Sequence, residues 1–77
     1  MKRLSNISLR EFRDFLTSQG LHLFRTKGGH EAWFKEGLTR PVIIQTHEDP
    51  VPEDVVCANL RTLNISKSDF LKVLNNK

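Results

Sequence analysis

The chain holds a single cysteine, Cys57, so no intrachain disulfide can form and stability has to come from packing. Cys57 falls between Val56 and Ala58 in an apolar helical stretch, where a buried, unreactive thiol is expected rather than a nucleophile. The three histidines, His22, His30 and His47, lack the close helical spacing of a zinc site, and no metal or other cofactor is expected. Neither a Gly-rich dinucleotide fingerprint nor a phosphate-loop motif is present. No apolar run exceeds a few residues, which argues against a membrane span and a signal peptide and makes the reducing cytoplasm the expected compartment.

Seventy-seven residues with 38% apolar content suffice for one core and one domain, spanning residues 1–77. A chain this short buries only about 60% of the surface its unfolded form exposes. That leaves no room for a deep cofactor cavity, and a shallow site suits an accessible polymer better than a small metabolite. The net charge of +3 is unevenly spread. Lys2, Arg3, Arg10, Arg13, Arg25 and Lys27 stand against only Glu11 and Asp14 in the first 27 residues. Such a basic third neutralises phosphates as readily as it forms an ordinary solvated helix face.

Two segments share one helix-start design. In Ile7-Ser8-Leu9-Arg10-Glu11-Phe12 a serine N-cap is followed three residues later by an acid, with apolar residues flanking the box. Ile65-Ser66-Lys67-Ser68-Asp69-Phe70 repeats the pattern with aspartate in the acidic place. The first helix is predicted over 9–19, with Leu9, Phe12, Phe15 and Leu16 on one face and Gly20 as its left-handed stop. Strands follow over 21–27, 30–34 and 41–45, the first two joined by Gly28-Gly29. Alternation puts His30, Ala32 and Phe34 on one face of the second strand and Glu31, Trp33 and Lys35 on the other, without deciding which is buried. Pro52 is expected as the first residue of a helix running to Leu63, with Val55, Val56, Leu60 and Leu63 as its stripe. Asn64 stops that helix, and a short last one reaches about Leu74. The expected fold is α+β, a two-layer sandwich of helix, three-stranded antiparallel sheet, helix and short helix.

Lys27-Gly28-Gly29-His30-Glu31-Ala32-Trp33 is the stretch with the most chemistry in it. Glycines let a backbone approach a ligand closely and present N–H groups to a phosphate. A histidine beside them can take or return a proton when a ribose 2′-OH attacks the adjacent phosphodiester. Trp33 is expected in the core first and against a base second. His22, between two leucines, has no assigned role. The residues by themselves leave three functions open: an RNA-cleaving enzyme, a non-catalytic RNA-binding module and a protein-interaction domain.

From Phe12 to Leu74 the chain resembles the HicA family, toxins of type II toxin–antitoxin systems that pair with HicB antitoxins. The family's Gly-Ser-His motif, with an aromatic three residues after the histidine, stands here as Gly28-Gly29-His30-Glu31-Ala32-Trp33. Gly20-Leu21 ahead of the first strand, Ile43-Ile44-Gln45-Thr46-His47 and the closing stretch from Leu60 to Phe70 are also similar to the family pattern. Gly29 stands where the motif has serine, Gln45-Thr46 where a Val-Pro pair is usual, and Asp49-Pro50-Val51-Pro52 where Gly-Thr-Leu generally opens the second helix. The resemblance implies a fold like double-stranded RNA-binding domains and metal-independent cleavage of messenger RNA, with His30 as general acid/base. It further implies a HicB-like antitoxin as partner. His47 is the candidate second proton carrier by residue type. Arg25, Lys27, Gly28 and Gly29 are the candidate RNA-binding residues, with Lys35 and Arg40 as poorer ones.

Overall fold

The structure, a computed structural model, describes residues 3–75. Lys2 of the basic amino-terminal third lies outside them. A short 3-10 turn, Leu4–Asn6, precedes α1 (Leu9–Ser18), β1 (His22–Lys27), β2 (His30–Phe34), β3 (Val42–Gln45), α2 (Glu53–Leu63) and α3 (Lys67–Asn75). The fold is α+β, with one antiparallel sheet in the order β1-β2-β3 and three helices. Among the described residues no helix is long and apolar enough to cross a membrane.

The helix starts are built as their sequences dictate. Ser8 Oγ accepts from Glu11 N–H at 3.0 Å, and Glu11 Oε1 accepts from Ser8 N–H at 3.0 Å, which closes the capping box. Ser66 Oγ likewise accepts from Asp69 N–H at 3.0 Å. Ile7 and Phe12, which flank the first box, are both fully buried. The first two helices end alike. Leu21 N–H reaches Leu16 O and Gly20 N–H reaches Thr17 O, with Gly20 at φ +88°. Ile65 N–H reaches Leu60 O and Asn64 N–H reaches Arg61 O, with Asn64 at φ 58°. Both are Schellman stops, one on glycine and one on the side chain best able to tolerate that conformation.

Three boundaries differ from the sequence reading. Leu21 belongs to the α1 stop and is buried there, so β1 begins at His22. Pro41, which has no N–H to give a ladder, lies just ahead of β3. Pro52 is the N-cap of α2, with Glu53 and Asp54 in its first turn. Cys57 is half-buried, because it flanks the stripe of Val56, Asn59 and Leu60 that α2 turns inward.

One core joins the layers. Phe12, Phe15 and Leu16 of α1, Val56 and Leu60 of α2 and Phe70 and Leu74 of α3 pack with Trp33, Val42 and Ile44 of the sheet. Trp33 and Glu31 therefore mark the covered face of β2, each 8% exposed. Burying a carboxylate demands a partner. Arg13 of α1 supplies it as a fork, Nε donating to Glu31 Oε1 at 3.1 Å and Nη2 to Oε2 at 2.9 Å. Trp33 Nε1–H donates to the same Oε1 at 3.1 Å. Arg13→Ala would leave this acid with the indole as its one remaining side-chain donor. A loss of about 2 kcal/mol is expected in urea unfolding, less than for a sealed pair because Arg13 is partly exposed.

Candidate functional site

The covered face being that of Glu31 and Trp33, the opposite face of the sheet carries His30, Ala32 and Phe34 from β2. Register places Lys27 of β1 and Gln45 of β3 on either side of His30, and Arg25 and Ile43 on either side of Ala32. On this side Ala32 is buried, while His30 and Ile43 are exposed.

The Gly28-Gly29 turn sets His30 at the sheet's end. Both glycines have positive φ, +56° and +81°, as a type I′ hairpin turn requires of its two central residues. A Cβ on Gly28 would meet nothing within 4 Å, so the backbone there is open to approach. A Cβ on Gly29 would sit 3.5 Å from His47 Nδ1 and 3.8 Å from Thr46 Oγ1. Thr46 ties the turn to the end of β3, its N–H and its hydroxyl both donating to Gly29 O, at 2.8 and 3.1 Å. The structure thus brings His30, His47, Lys27 and the two glycines to one end of the sheet, with both imidazoles exposed.

His30 Nδ1 lies 3.3 Å from Gly28 O. A carbonyl only accepts, so this contact selects the tautomer of the neutral ring with hydrogen on Nδ1 and leaves the Nε2 lone pair available. An exposed imidazole held this way can remove a proton from a group delivered to Nε2.

The other expected residues divide. Arg25 and Lys27 are exposed on the His30 face. Lys35 is engaged elsewhere, its Nζ donating to Gln19 O at 3.0 Å at the carboxyl end of α1. Arg40 lies at the far end of the sheet. It lines a shallow depression of about 370 Å³ with Pro41, Ile43 and residues of α2, which contains none of the candidate catalytic side chains. Trp33 is in the core with its N–H committed to Glu31, so it is not a base-stacking residue. Among the described residues no three His, Cys, Asp or Glu side chains converge as metal ligands would.

Two residues had no assigned place in the sequence reading. Thr46 is one, since its role depends on a contact across 17 positions. Phe24 is the other, an aromatic beside a cation in an edge strand, 49% exposed with the Arg25 guanidinium 5.8 Å from its ring centre. Comparison of the chain with protein-family models, with curated proteins and with solved structures gives no match.

Proposed function

We propose that the protein is a metal-independent endoribonuclease that cleaves messenger RNA, the toxin of a type II toxin–antitoxin pair with a HicB-like antitoxin as partner in the cytoplasm. The observation that carries this reading is His30 itself. It is an exposed imidazole one residue past an open glycine turn, with Lys27 across the ladder and His47 on the other side of Gly29. The similarity of the Gly28-Gly29-His30 stretch to the HicA motif supports it, and the order of helix, three strands and helix is compatible with a fold like double-stranded RNA-binding domains.

In this reading Nε2 of His30 takes the proton of a ribose 2′-OH, and the 2′-oxygen attacks the adjacent phosphorus. The bond from phosphorus to the 5′-oxygen breaks, giving a 2′,3′-cyclic phosphate on one fragment. The departing 5′-oxygen takes a proton from His47 or from water, giving a 5′-hydroxyl on the other. Lys27, Arg25 and the backbone of Gly28 and Gly29 hold the charged phosphates. The serine hydroxyl that the family motif carries at position 29 is missing, yet Thr46, just past β3, brings a hydroxyl to the same neighbourhood.

The missing motif serine also favours a second reading, a non-catalytic RNA-binding module. Incubation of the purified protein with a defined RNA in excess chelator separates the two. The enzyme yields fragments ending in cyclic phosphate, whereas the binding module shifts the RNA in a gel and returns it intact.

A further inference from the structure

The face that carries His30 also carries the chain's exposed aromatic surface. Between Leu23 and Arg25 the β1–β2 register slips by one residue, so Phe24 and Arg25 together stand opposite Ala32. A bulge of this kind re-aims side chains. Here it brings Phe24 to the open face, where its ring meets Phe34 edge-on, 6.1 Å between centres and 74° between planes. Ile43, 42% exposed, lies beside Ala32 on the other flank. Phe34 lies four positions along β2 from His30, roughly 13 Å of strand at the usual rise.

We propose that this face is a base-stacking platform for single-stranded RNA. An unpaired base lies on the Phe24 ring, while Arg25 and Lys27 follow the backbone towards His30. The charge pattern selects nucleic acid over protein. None of the outward residues of the three strands is acidic, the one acid of β2 being turned inward to Arg13. An exposed aromatic flanked by cations is how sequence-tolerant single-strand binders hold bases, every base having a π-face. Duplex RNA keeps its bases stacked within the helix and offers that ring nothing. The proposal takes from the reading above only that RNA is the ligand, and it adds that the RNA is unpaired.

Fluorescence anisotropy with labelled decauridine and with a labelled duplex of equal length tests it, in the His30→Ala background so that the RNA survives. Adding Phe24→Ala is expected to weaken single-strand binding about tenfold, towards the lower end of the range for one base on one ring. Duplex binding and the thermal melting curve should not change, and Phe24→Trp should restore the affinity. Arg25→Gln should lower the slope of log affinity against log salt by about 0.7, one phosphate contact on a single strand.

Equal single-strand affinity with and without Phe24 overturns the platform, as does an equal loss on both RNAs. So does a protein that ignores RNA at low salt but self-associates through Phe24 in sedimentation, which makes the face a contact between copies. The two proposals fail separately. Phe24-dependent binding by a wild-type protein that never cuts RNA sinks the nuclease and keeps the platform. Cleavage indifferent to Phe24 does the reverse.

Discussion

His30→Ala is expected to slow RNA cleavage by about 10²–10⁴-fold, the usual contribution of one positioned acid or base. It should leave the melting temperature within about 3 °C of wild type, because the side chain is exposed and its one bond is a 3.3 Å contact to Gly28 O. Loss of activity with the fold intact is the signature of a chemical role. Growth inhibition on expression should disappear with it. His47→Ala should cost less, about tenfold, since water can protonate a departing 5′-oxygen in its place. A larger effect at His47 than at His30 would reverse the two roles.

Phe70→Ala carries the largest expected loss of stability. The ring is fully buried and meets Phe15 edge-on at 4.6 Å and Phe12 at 6.0 Å, which fastens α3 to α1. Removing such a side chain costs about 3–5 kcal/mol through lost burial and the cavity left behind. A chain of this size is worth about 4–12 kcal/mol in total. Thermal unfolding should therefore move down by about 15 °C or more, and the weakest variants will not fold at all. Phe70→Leu, which keeps most of the volume, should fall well short of that. A Phe70→Ala protein that melts with the wild type would mean that α3 is not part of the cooperative core.

The helices were legible because their ends are local. Ser8 with Glu11, Gly20 and Asn64 each act within a few residues, and each caps or stops a helix as its residue type dictates. The Gly28-Gly29 turn was equally plain, as only glycine adopts two successive positive φ angles cheaply. Which face of β2 is covered was not legible. Both faces carry an aromatic, and the deciding contacts are the Arg13 fork, 18 residues away, and the packing of Trp33 under the helices. Buried Asn59 was hidden for a similar reason: Nδ2 donates to Ile43 O at 3.2 Å, which pairs a polar side chain in an apolar stripe. The β1 bulge mattered most for the site. Strict alternation separates Phe24 from Arg25, and only the slipped register puts the two on the His30 face.

At the centre of the account is an imidazole at a glycine turn acting on RNA. The most direct measurement is the rate of cleavage of one defined RNA in chelator by wild type and His30→Ala, both verified as folded. The account predicts cleavage by wild type and a rate at least about a hundredfold lower for the variant. Equal rates, or RNA left whole by both, would contradict it.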